Sequence, residues 1–224
     1  AASDVYKRQH LYLGHLVGDF VLQNGYIAKN KENRFGVLLF HVLLVGLSHV
    51  FFLLPGIDFS VIIVVGLIVV AHFFIDLLKA KLSLKYGWVK KVGYYLFDQL
   101  LHLLSIIVAS TYLKVSSFWI SDSMALLLIL AVLDAYVFGI LAYIGFGYKN
   151  SNHYSRDWIG YLFRGSSPFV HIVWWPLGVA SLMVGVLISW FLNTERRQES
   201  LASFSLAMVT NLMIINLMNQ IFWG

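Results

Sequence analysis

The chain has 224 residues, of which 59% are hydrophobic and only 12% charged. Those proportions exclude a disordered segment and an ordinary soluble domain, and the long apolar stretches predict a polytopic membrane protein. The absence of cysteine excludes disulfides and thiolate metal sites, and the net charge of +5 reads as loop charge that orients the chain rather than as a nucleic-acid surface.

The opening AASDVYKRQ, residues 1–9, is polar and abrupt. It is expected to be a non-native leader outside the first helix, which would then lack its true start. His10 to about Asn24 is the first apolar segment. Its fifteen residues fall short of the roughly 20 needed to span a bilayer, as a truncated or re-entrant element would. Gly14 and Gly18 form a small-xxx-small pair that lets a second helix approach closely. Gly25–Arg34 reads as a polar turn. Phe35–Leu54 is a second helix stopped by Pro55-Gly56, Phe59–Leu84 a third, and Val92–Val115 a fourth, with Tyr86–Lys91 a basic turn between the last two. Ser123–Gly147 is a fifth helix carrying Asp134. Tyr148–Gly165 reads as a polar, aromatic connection suited to a membrane interface. Pro168–Leu192 is a sixth helix kinked at Pro176, and Leu201–Trp223 a seventh. The predicted fold class is thus all-α, a transmembrane bundle of about seven helices. Residues 10–115 form a four-helix domain and 123–224 a three-helix extension.

Lysine and arginine counts alternate along the connections: three, five and three after helices 1, 3 and 5, against zero, one and two after helices 2, 4 and 6. The first set is expected to be cytoplasmic, with the N-terminus outside and the C-terminus inside.

Three of these helices carry a His/Asp pair four residues apart: His15 with Asp19, His72 with Asp76, and Asp98 with His102. Side chains four apart share one helix face, and ionisable groups within a membrane are expensive enough to mark function. At about 1.5 Å rise per residue, these six and His41 all fall roughly 7–18 Å below the cytoplasmic boundary. Agreement in depth among helices of alternating direction points to one shared site. Imidazole and carboxylate suit zinc or manganese without thiolates. His15, Asp19, His72, Asp76, Asp98 and His102 are the candidate ligands of a divalent metal. An uncoordinated Asp such as Asp76, or His41, is the candidate general base, and Gln23 and Gln99 are candidate contacts to a substrate oxygen. The reaction best matched is metal-assisted hydrolysis of a substrate reached from the cytoplasmic leaflet, with membrane lipids as partners and no nucleic acid. Two alternatives stand beside it: buried pairs that only stabilise the bundle, and a proton- or ion-coupled carrier using Asp134 as a relay. His49 is expected to be a packing histidine, Lys79 to snorkel to the interface, and His171 to be a remote extra ligand. Asn211, Asn216, Asn219 and Gln220 are expected to tie the last helix to its neighbours.

HLVGDFVLQ followed by AKNK, a His-containing helix, HFFIDLLKAK and FDQLLHLLS resembles the bacterial membrane proteins grouped as domain of unknown function 3307, over about Leu11 to Leu113. The resemblance implies a bacterial inner-membrane protein whose signature includes His15, Asp19, Gln23, His41, His72, Asp76, Asp98, Gln99 and His102. The family's first helix is usually longer. The family has no established activity, and the likeness of its His/Asp-rich helices to membrane-bound metal-dependent hydrolases is one of analogy.

Overall fold

In lipid a chain can satisfy its own backbone only as helices or a closed barrel, and every regular element among the described residues is helical. The computed structural model describes residues 2–85, 92–115, 117–147, 158–192 and 197–223. Five helical stretches are long and apolar enough to cross a membrane: Phe35–Phe52, Phe59–Ser83, Val92–Ser110, Asp122–Phe146 and Trp175–Leu192. Many of their large apolar side chains face outward, among them Ile62, Phe74 and Val108, which is the surface of a multi-pass membrane protein rather than a soluble one. The chain forms two compact units, residues 1–129 and 130–224.

In the first unit, α1 runs Ala2–Leu16 and continues without a break into a π-helical turn, Val17–Val21. The polar opening is therefore part of the first helix, contrary to the expected separation at Gln9. Arg8 and Gln9 are anchored there: Arg8 Nε donates to Ser110 Oγ at 3.2 Å and Gln9 Nε2 to the Asp122 carbonyl at 2.6 Å. The expected turn after it also contains a helix, α2, Gly25–Asn30. Asn24 caps it by accepting from the Ile27 amide at 2.9 Å, and Ile27 is its buried anchor. Next come α3, Phe35–Phe52, and α4, Phe59–Lys85. Asp58 caps α4, its Oδ1 accepting from the Val61 amide at 2.9 Å and the Ser60 hydroxyl at 2.6 Å. Helix α5 is Val92–Ser110. The turn expected at Tyr86–Lys91 lies outside the described residues.

Helices α1, α3, α4 and α5 pack as a closed ring, each against the next. Gly14 and Gly18 make the α1–α3 contact as expected. A Cβ on Gly18 would lie 2.8 Å from Val45 Cα, and one on Gly14 would lie 3.0 Å from His49 Cα. One end of the ring is filled by aliphatic side chains, with Leu11, Leu53, Val64, Ile68, Ile106 and Leu113 at its centre. The other end is polar.

The chain enters the second unit through α6, Asp122–Val132, which continues through a π turn at Leu133–Val137, α7 at Phe138–Ala142, and a second π turn at Tyr143–Gly147. The expected sixth helix is two helices. Helix α8 covers Trp158–Val173, starting inside what reads as a connection, and α9 covers Trp175–Leu192. They fold back on one another: Gly178 abuts His171, and a Cβ on Gly185 would lie 2.6 Å from Phe163 Cβ. Residue numbers rising on one helix as they fall on the other make the pair antiparallel. Pro176 thus stands in the first turn of a new helix, where proline is tolerated, rather than at a kink. The expected three-helix extension thus contains one more helix, because α8 and α9 replace the single sixth. Helix α10 is Arg197–Trp223.

Candidate metal centre

All four helices of the ring deliver donors. The π turn of α1 carries Asp19, one turn after His15; α3 carries His41; α4 carries His72, Asp76 and Lys79; α5 carries Asp98 and His102. The three pairs four residues apart form as spacing dictates, at 3.7 Å for His15–Asp19, 3.6 Å for His72–Asp76 and 3.7 Å for Asp98–His102. All seven His and Asp residues are buried, none more than 5% exposed.

The pairs then converge across helices. His41 Nε2 lies 3.0 Å from Asp19 Oδ1 and 3.2 Å from His72 Nε2, and His72 Nε2 lies 3.3 Å from the same Asp19 oxygen. For bonds of about 2.0–2.2 Å, the donor atoms around a tetrahedral ion stand about 3.3–3.6 Å apart, so this triangle is close to one face of such a site. Asp76 Oδ2 adds a second triangle on the same edge, 3.3 Å from His41 Nε2 and 3.6 Å from His72 Nε2. On the far side of Asp76, its Oδ1 lies 3.7 Å from His102 Nε2, which is itself 3.7 Å from Asp98 Oδ1. The His15, His72 and His102 rings cluster, tilted or edge-on to one another, with centroids 4.3–5.5 Å apart. Three sets of donors each lie within 4.8 Å of one another: His15, His72, His102; Asp19, His41, His72; and Asp76, Asp98, His102.

Two lysines complete the electrostatics. Lys31, just past α2, donates to Asp76 Oδ2 at 2.8 Å and to His41 Nε2 at 3.0 Å. Lys79 donates to Asp98 Oδ2 at 2.6 Å, so it is a site residue and not a snorkelling one. Asp19 is different. Among the described residues no lysine or arginine pairs with it, and histidine nitrogens alone surround its carboxylate. Asp19 Oδ1 has two nitrogens within 3.3 Å, yet neither is oriented as a hydrogen bond to it. His41 Nδ1 and His72 Nδ1 are buried with no hydrogen-bond partner, so the outer contact that usually orients a ligating imidazole is not supplied here.

The sequence model of a family described as protein of unknown function (DUF3307) matches residues 9–131. The chain belongs to the DUF3307 family. The matched DUF3307 segment spans nearly all of the first unit and contains every donor and both lysines. No curated protein and no solved structure matches the chain.

The remaining candidates of this DUF3307 chain fall into place around the centre or apart from it. Gln99 Nε2 donates to Asp98 Oδ2 at 3.3 Å, and Gln23 is half-buried just beyond the π turn. His41, expected as a base beside the ligands, is one of the donors. His49 is a packing histidine whose Nδ1 faces the Val45 carbonyl at 2.8 Å. In the second unit the Asp134 carboxylate accepts from Ser167 at 3.4 Å, and Asn211 donates to Ser167 at 2.7 Å, tying α10 to α8 as expected. His171 Nδ1 faces the Ser167 carbonyl at 2.8 Å. Asn216 is exposed, and the side chains of Asn219 and Gln220 lie outside the described residues. Two residues escaped the sequence reading. One is Lys31. The other is Arg164, fully buried in the second unit, which donates to the carbonyls of Asp134 and Ala135 at 2.9 and 3.1 Å, inside the π turn.

Proposed function

We propose that this chain is a divalent-metal-dependent hydrolase of the bacterial inner membrane, its ion, zinc or manganese, held by Asp19, His41 and His72. The observation that carries the reading is the Asp19–His41–His72 triangle, whose 3.0–3.3 Å edges sit near the spacing of donors on one ion. Asp19 supplies the charge reason. Among the described residues no ammonium or guanidinium forms an ion pair with this buried carboxylate, and a buried charge needs a counter-charge. A metal in this position lowers the pKa of a bound water towards neutrality. Asp76, at the next corner of the donor set, either ligates the ion or takes the water's proton. Gln99, bonded to Asp98, and Gln23, just beyond the π turn, are the candidate contacts to a substrate oxygen. The loop-charge asymmetry supports access from the cytoplasmic leaflet.

A second reading, buried pairs that stabilise the bundle without metal, has its own support. Lys31 and Lys79 neutralise Asp76 and Asp98 directly, and a proton on Nε2 of His72 would meet the His41 Nε2 that Lys31 also faces, leaving the His72 Nδ1 as the unpartnered position seen. Elemental analysis of purified full chain separates the two. The hydrolase reading expects at least one zinc or manganese per chain and its loss in Asp19→Asn. A metal-free wild type that is as stable with chelator as without it leaves the pairs as structural contacts.

A further inference from the structure

The first donor set leaves half of the polar cluster unused. Beyond Asp76 lie His102 and Asp98, both buried. His102 Nε2 stands 3.7 Å from both Asp98 Oδ1 and Asp76 Oδ1, and one donor atom from each of these three residues lies within 4.8 Å of the others. Asp76 is therefore two-sided: Oδ2 looks at His41 and His72, Oδ1 at His102. A carboxylate whose two oxygens serve two separate donor sets is the arrangement that holds paired ions about 3.5–4 Å apart in two-metal sites.

Charge then specifies what the pair would take. With neutral imidazoles, three aspartates and two lysines leave the cluster one negative charge. One divalent ion reverses that to one positive, and two ions make it three positive, an excess that a buried site must offset with anions. A hydroxide supplies one negative charge and a dianion the other two. Lys31 and Lys79 are placed to receive that dianion. Their side chains are 11% and 20% exposed, more than those of the donors they contact, so they form the rim of the cluster. Each now holds a carboxylate that a metal would claim, and a cation arriving at Asp76 or Asp98 would repel the neighbouring ammonium towards the rim.

We infer that Asp76 bridges two divalent cations, one at Asp19, His41 and His72 and the other at Asp98 and His102, and that the pair binds a phosphoryl oxyanion with Lys31 and Lys79 on its outer side. The inference rests on the metal reading above and names the substrate class of that same site. It also assigns Asp76 as a ligand and not as the base.

The test uses full-length protein in detergent loaded with Mn2+. Wild type is expected to hold two ions per chain with the exchange-coupled electron-spin resonance of a close pair. Asp98→Asn should hold one, with the six-line signal of an isolated ion. Asp76→Asn should weaken both ions by at least tenfold. One ion in wild type that Asp98→Asn leaves untouched would overturn the bridge while leaving the single-ion reading intact; no ion at all would remove both. For the anion, inorganic phosphate should bind the loaded protein and lose at least tenfold in affinity in Lys31→Gln, Lys79→Gln or after chelation. Phosphate binding indifferent to metal and to both lysines would overturn the oxyanion assignment. Competition by phosphatidic acid in phosphatidylcholine vesicles points to a lipid headgroup as the source, and competition by glycerol phosphate alone to a soluble ester.

Discussion

Replacing Gly18 with alanine tests whether helix packing sets the metal geometry, because Gly18 is one residue from Asp19 and faces α3. The added Cβ would stand 2.8 Å from Val45 Cα and 3.0 Å from Val45 Cγ2, where ordinary contact begins at 3.4–4 Å. The close neighbour is backbone and cannot swing aside, so α1 must move off α3 by about 0.6–1.2 Å. Asp19 moves with it. Its separations from His41 and His72, now 3.0 and 3.3 Å, open to about 3.6–4.5 Å, at or beyond the edge of a tetrahedral site. Overpacking of this kind costs about 1–3 kcal/mol, which for a chain of this size lowers the melting temperature by about 2–12 °C. Metal affinity should fall by about tenfold or more, as it does when ligand placement is disturbed. Gly36→Ala is the control, since a Cβ there meets nothing within 4 Å. Thermal unfolding in detergent and Mn2+ titration provide the readouts. If Gly18→Ala matches Gly36→Ala in both, close α1–α3 packing does not set the donor geometry.

Lys31→Met leaves the Asp76 carboxylate buried without its ammonium, and should cost the metal-free protein about 3–5 kcal/mol. Added Zn2+ or Mn2+ should restore most of that loss in a melting experiment, whereas an equal loss with and without metal would show that the ion and the ammonium do not exchange. The α8–α9 reversal is testable by a cysteine pair at positions 163 and 185. Phe163→Cys with Gly185→Cys should crosslink readily under mild oxidation, whereas one continuous helix would hold those positions about 33 Å apart.

The three in-helix pairs were legible because a spacing of four fixes a shared face whatever surrounds it, and polar residues in apolar runs stand out. Their shared depth gave the convergence, which the donor distances bear out. Lys31 was not legible. It follows a six-residue helix too short to show a period, held by one Asn24 cap and one buried Ile27, and only tertiary folding carries its ammonium to Asp76. Lys79 was misjudged because the length of its stem permits both outcomes, and the strength of Asp98 as a partner decides between them. The α8–α9 reversal was hidden by unbroken hydrophobicity through Val173–Trp175. Its trace is the pair Gly178 and Gly185, seven apart on one face, where α8 comes closest. The π turns at Val17–Val21 and Leu133–Val137 carry no sequence mark beyond the acid inside each. Arg164 reads as interface charge until its carbonyl partners are known.

The polar cluster also answers a question of alignment. Helices in lipid gain little from hydrophobic burial against one another, so aliphatic faces alone permit several sliding positions of nearly equal energy. Here a one-turn slip of any ring helix, about 5.4 Å, would carry its aspartate or histidine out of reach of the others and strand it in hydrocarbon. The cluster therefore acts as a register lock, as a single buried asparagine does in a coiled coil, and it would do so whether or not an ion is bound.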